Sequence, residues 1–166
     1  FITTAISYAQ IVTTNPVIVT DDYNGVVEVI YDATQGTAGL KDYTGDVYAH
    51  TGVFTNLSPT TWKYAPVWGD NSPKYKLSPL GNNKWKLLIT PNIISYYGIA
   101  ANETVTKLCF VFRSADKTKE GKDIGGADIF VPVYKAGLNV IFSSPSSNKS
   151  IPAGTTIDFS IVSTQI

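Results

Sequence analysis

The chain has 166 residues, enough for one domain of ordinary size and a fragment of a second. Its 13 Lys and Arg balance its 13 Asp and Glu, which argues against a nucleic-acid or anionic-membrane partner, since both require a basic surface. A single cysteine and a single histidine form neither an internal disulfide nor a tetrahedral metal set, and no cofactor is indicated.

The first ten residues, FITTAISYAQ, have no initiating Met and read as the remnant of an apolar export signal with a small-residue cleavage site. That reading places the protein outside the cell or on its surface. No later run is apolar enough to span a bilayer, so membrane insertion is not expected. Residues 13–22 read as polar mature sequence.

Short strands separated by Gly, Pro, Asn and Asp turns follow. Residues 26–32 alternate and are β-branched. Residues 46–52 read DVYAHTG and contain the only histidine. Strand alternation puts Tyr48, His50 and Gly52 on one face and Val47, Ala49 and Thr51 on the other. The connection over 55–74 is long for a compact domain, which marks it as functional or disordered, and Trp62, Tyr64 and Trp68 argue against disorder. Residues 75–80 and 84–89 form a hairpin across Gly81-Asn82-Asn83. Within it, Trp85 alternates in phase with Leu87 and Ile89 and belongs to the core.

One short helix is expected over 91–97, with Pro91 at its start and Gly98 at its stop. Residues 107–114 are apolar on both faces, as a central strand requires, and bury Cys109 as an inert thiol. A polar, Lys- and Gly-rich hairpin loop over 114–128 leads to a strand over 127–134. The whole of 11–135 reads as an antiparallel immunoglobulin-like β-sandwich with one short helix. After Ala136-Gly137, strands over 138–142 and 156–163 are too few to bury a core. They read as the opening of a second immunoglobulin-like β-sandwich, over 136–166, in a longer protein.

Catalysis finds little support. His50 is the only base for a nucleophilic triad, and no G-x-S-x-G elbow is present. The carboxylates Glu120, Asp123 and Asp128 all fall in one loop whose composition is that of a solvated turn. The acids between 114 and 126 lack the spacing of a calcium loop. The fragment is therefore not expected to be an enzyme. Binding fits better. An exposed indole can stack on the CH face of a sugar, and polar neighbours such as His50 then fix the orientation of its hydroxyls.

Taken in order, DVYAHTG, the Trp-bearing connection, KLSPLGNNKWKLLI, PNIISYYGI and KLCFVFRSADKTKEGKDIGGADIFV make 26–134 similar to a known arrangement. The segment resembles the N-terminal β-sandwich of secreted bacterial α-amylase-like enzymes of glycoside hydrolase family 13. It is more distantly similar to the starch-binding carbohydrate-binding modules of families 25 and 26. The resemblance implies a module that binds starch or a related α-glucan and is joined to a catalytic domain downstream in the same chain. It implies His50 as one wall of the site, with Tyr48 beside it. Trp62 or Trp68 supplies the stacking ring, and Lys122 and Asp123 lie in the polar turn that hydrogen-bonds the sugar. The chain departs from the starch-binding pattern in having no Trp between Ser114 and Asp128. The alternative is a spacer domain of such an enzyme with no ligand of its own.

Overall fold

Alternating apolar side chains decide how the chain layers. The structure is a computed structural model and describes residues 10–144, 154, 156 and 158–164. In chain order the strands are β1 (Val12–Asn15), β2 (Val27–Asp32), β3 (Val47–Thr55), β4 (Ser58–Lys63), β5 (Ser78–Gly81), β6 (Lys84–Ile89), β7 (Val105–Ser114), β8 (Glu120–Gly121), β9 (Ile129–Pro132), β10 (Val140–Ser144) and β11 (Ser160–Ser163), with the helix α1 (Ile93–Tyr97) before β7. One sheet has the order β1-β2-β6-β5, and the other runs β4-β3-β7 with β8 and β9 both paired to β7. All of these pairings are antiparallel. The fold is an all-β sandwich, as the turn spacing predicts.

Between the sheets lie Val27, Val29 and Tyr31 of β2 and Trp85, Leu87 and Ile89 of β6. Opposite them are Val47, Ala49 and Val53 of β3 and Leu108, Phe110 and Phe112 of β7. Tyr31 stacks on Phe112 with ring centroids 4.1 Å apart. Each such side chain removed from water stabilises the fold by about 1.5–3 kcal/mol. Trp85 is in the core, as its phase with Leu87 and Ile89 requires. Cys109 is fully buried, and burial pushes its thiol up to about 12.

The helix stops at Gly98 as expected but starts at Ile93, two residues after the expected Pro91, with Asn92 as its cap. The Asn92 side chain accepts from the Ser95 N–H at 2.8 Å, and Gly98 ends it in the left-handed region at φ 70°. Tyr97 fixes it to the inner face of β3 through a 2.6 Å hydrogen bond between its hydroxyl and that of Thr51.

Several segments differ from the sequence reading. No strand is expected before residue 26, yet Val12 packs into the core and 12–15 pair with β2 as an edge strand. The expected connection 55–74 contains a strand, β4, whose Ser, Pro and Thr residues are largely solvent-facing and carry no apolar alternation. The hairpin strand starts at Ser78 instead of 75. Leu77 donates to the Val47 carbonyl at 2.9 Å, so the chain is still attached to one sheet before it joins the other. Loop 114–128 is broken by β8, and β8 and β9 lie along the same edge of β7. The excursion between them is closed by the Asp123 N–H donating to the Ala127 carbonyl at 2.8 Å.

Among the described residues β10 and β11 pair only with each other, and Phe142 and Phe159 are exposed with their rings 5.9 Å apart. The strand expected over 156–163 begins at Ser160. The export segment, apart from Gln10, and residues 145–150 lie outside the described residues. Among the described residues no helix is long and apolar enough to cross a membrane.

Candidate functional site

The outward face of β3 carries Tyr48, His50, Gly52 and Phe54, paired in register with Arg113, Val111, Cys109 and Lys107 of β7. The chain leaving β4 lies over this face. Gly52 makes room for it: a Cβ there would stand 2.8 Å from the Lys63 carbonyl oxygen and 3.3 Å from the Trp62 ring. Trp62 consequently lies nearly parallel to the His50 imidazole, at 5.5 Å between centroids and 19° between planes. Trp68 meets the same imidazole edge-on, at 4.9 Å and 73°. The two indoles thus enclose a corner with His50 in it and do not form one flat platform.

The connection is held at both ends. At the β4 end, one oxygen of the Glu103 carboxylate accepts from Lys63 Nζ and from the Tyr64 hydroxyl, the latter at 2.9 Å. The Lys63 ammonium holds the Glu103 carboxyl below its usual range. At the other end is Arg113, the only arginine in the chain and 1% exposed. Its Nη1 donates to the Asn71 side-chain oxygen at 2.8 Å and to the Ser114 carbonyl at 3.1 Å, and its Nη2 donates to the Asp70 carbonyl at 2.5 Å. The guanidinium carbon lies 5.4 Å from the Tyr48 ring centroid and 5.9 Å from that of Trp68. A buried cation thus ties the Trp68 loop to the sheet.

The remaining wall comes from the excursion 122–128. The backbone of Lys122 accepts from the Thr37 N–H at 2.9 Å and donates to the Thr37 hydroxyl at 3.1 Å, so its position is fixed from the far loop. Its ammonium is 3.2 Å from Glu120. Lys122 and Asp128, at the two ends of the excursion, line a cavity of about 350 Å³ together with His50, Trp62, Trp68 and Val111. Trp68 is 45% exposed, while His50 and Trp62 are half-buried.

Four of the six residues singled out from the sequence, His50, Trp62, Trp68 and Lys122, therefore meet at one cavity. Tyr48 does not line it. The Tyr48 ring is buried beneath the Arg113 guanidinium, because it shares a rank with Arg113 across β3 and β7. Asp123 does not line it either, since its carboxylate turns back to accept from the Ile124 N–H at 2.7 Å and caps a 3₁₀ turn. Asp128 stands on the cavity instead. Arg113 and Asp128 are the residues that sequence reasoning did not select. A lone arginine inside an otherwise apolar strand was the available signal for the first, and an acid on the outward phase of the β9 strand was the signal for the second.

Burial, and then the Arg113 charge, hold His50 below its ordinary pKa against the opposing pull of Asp128. The imidazole is therefore neutral at pH 7, with one nitrogen a donor and the other an acceptor. Its Nδ1 is buried with no protein partner.

A larger cavity of about 860 Å³ lies between the turn 42–46 and β5. Several of its polar groups already pair with one another. Lys76 pairs with Asp46 at 2.7 Å, and Asp42 and Asn83 exchange hydrogen bonds at 2.6 and 3.0 Å. The Trp85 ring on its wall is only 7% exposed. The smaller cavity has the free polar atom and the open ring, and is the better candidate for ligand chemistry. Among the described residues no group of three or more His, Cys, Asp and Glu is placed to hold a metal ion. No protein-family model matches the chain, and no curated protein is detectably similar to it.

Proposed function

We propose that the protein is a non-catalytic carbohydrate-binding module that takes starch or a related α-glucan at the Trp68 corner. In this reading it serves an exported glycoside hydrolase of the α-amylase type, with the catalytic domain in the same chain. The observation that carries the reading is Trp68, a large aromatic ring left 45% exposed although its loop is fastened by a buried arginine. A ring that only stapled the loop would be buried. Trp62 lies along the imidazole, so Trp68 is the ring free to take the CH face of a sugar. Neutral His50 supplies a donor or an acceptor, Asp128 accepts from hydroxyls and Lys122 donates to them.

One aromatic stack contributes about 0.5–1.5 kcal/mol beyond area burial, so the isolated site is weak. Linkage to a catalytic domain raises the effective affinity without any new contact. A spacer with no ligand is the second reading, and it is favoured by one observation: the two indoles meet His50 at different angles, so no two-ring platform exists. Affinity electrophoresis through gels containing starch or glycogen separates the two. Retardation of the wild type that is abolished by Trp68→Ala supports binding. Migration of the folded wild type at the same rate with and without polymer establishes the spacer.

A further inference from the structure

The outward face of the second sheet does not end at the cavity. On β9 the register Cys109↔Phe130 and Phe110↔Ile129, continued by one residue, sets Asp128 beside Val111 and hence in line with His50. The next outward rank is Gly52, Cys109 and Phe130. Phe130 is 42% exposed, and its ring leans to within 5.2 Å of the ring of Phe54. The Lys107 ammonium lies over both rings, at 5.5 and 5.7 Å from their centroids. Cys109, in the same rank, is fully buried.

Phe54 is itself only 7% exposed. Phe130 instead keeps nearly half of its surface in water, beside an ammonium that can donate to a sugar hydroxyl. Along the strand, Phe130 stands two residues from Asp128, a separation of roughly 7 Å. A chain of linked sugars held by Asp128 and Trp68 at one unit can therefore reach Phe130 at another.

We propose that Phe130, with Lys107, forms a second sugar subsite, so that the ligand is a run of linked sugar units lying along the sheet and not a single ring or a chain end. This rests on the carbohydrate reading of the Trp68 corner.

The test is calorimetric titration of the wild type, Trp68→Ala, Phe130→Leu and Phe130→Trp with linear α-1,4-glucans of two to seven units. Leucine keeps Cys109 covered but has no flat face, and tryptophan restores one. The expected result is that wild-type affinity rises with chain length and that the long-to-short affinity ratio falls about three- to tenfold in Phe130→Leu, the worth of one stack. Phe130→Trp is expected to keep the ratio. A wild type that binds long chains while Phe130→Leu keeps the same ratio overturns the second subsite alone and leaves the Trp68 site standing. A wild type that binds no chain of any length overturns both.

Discussion

The two sheets differ most on the faces they turn away from each other. On β2 and β6 the outward residues are Glu28, Ile30, Lys84, Lys86 and Leu88, and their polar contacts are half-buried or exposed ion pairs such as Lys86–Glu28 at 3.1 Å. Such pairs are worth about 0–1 kcal/mol, and the cavity of about 500 Å³ that opens beside Lys86 and Leu88 has no tryptophan in its lining. On β3 and β7 the outward residues include Tyr48, His50, Val111 and Arg113, and most of them are buried. The difference is topological. The chain between β4 and β5 must pass from one sheet to the other, and on the way it lies over β3 and β7. Glu103 and Arg113 hold it there, and the strand face beneath becomes the floor of a cavity. A site in this fold is made by the connection that covers a sheet and by the groups that fasten it, more than by the strand itself.

That contrast is sharpest in the tryptophans. Trp85→Ala removes a ring from between the sheets and is expected to destabilise by about 3–5 kcal/mol, read by urea unfolding. Trp68→Ala, at a 45% exposed ring, is expected to change stability by less than about 1 kcal/mol while removing polymer retention. Comparable losses of stability in the two variants would show that Trp68 is a loop staple.

The fastening groups come next. Arg113→Met keeps the apolar stem and removes the hydrogen bonds to Asp70, Asn71 and Ser114, with an expected loss of about 2–3 kcal/mol and of binding. Unchanged retention by a folded Arg113→Met would break the claim that the loop must be tied down. Gly52→Ala forces the Lys63 backbone or the Trp62 ring to give way, and about 1–3 kcal/mol is expected from the overpacking. Its crystal structure should show Trp62 displaced from His50.

The smallest effect is the pH dependence set by His50. Its folded pKa is depressed below the ordinary 6.5, so as pH falls the unfolded chain takes the proton first. Stability contributed by the neutral imidazole is complete above pH 6.5, and is lost on acidification until the folded His50 itself titrates. Sugar affinity should be flat above that pH and fall below it. His50→Gln should abolish this dependence while leaving the acid limb due to Glu103, whose depressed pKa places the loss of its Lys63 and Tyr64 contacts below the ordinary carboxylate range.

The sandwich itself was legible because its inward face obeys strand alternation at Val27, Val29 and Tyr31, at Val47 and Ala49, and at Trp85, Leu87 and Ile89. β4 was not, since Ser-Pro-Thr-Thr presents no apolar phase, although it pairs with the adjacent β3 across a short turn. His50, Trp62, Trp68 and Lys122 could be gathered as residue types suited to a sugar, and they share a cavity. Tyr48 and Asp123 could not be placed from sequence because a neighbour in space decides each: Arg113 covers one ring, and a local backbone N–H captures the other's carboxylate. Asp128 was visible as an acid, but only the pairing of β9 with β7 aligns it with His50.

The central claim is that a covered sheet face, and not the core or the opposite face, meets the ligand. The three indole N–H signals of Trp62, Trp68 and Trp85 in a ¹⁵N-resolved spectrum report on this within one sample. On titration with a linear α-1,4-glucan, the account predicts that the Trp68 signal moves most, Trp62 less and Trp85 not at all. Movement of none of the three, or of Trp85 alone, would contradict it.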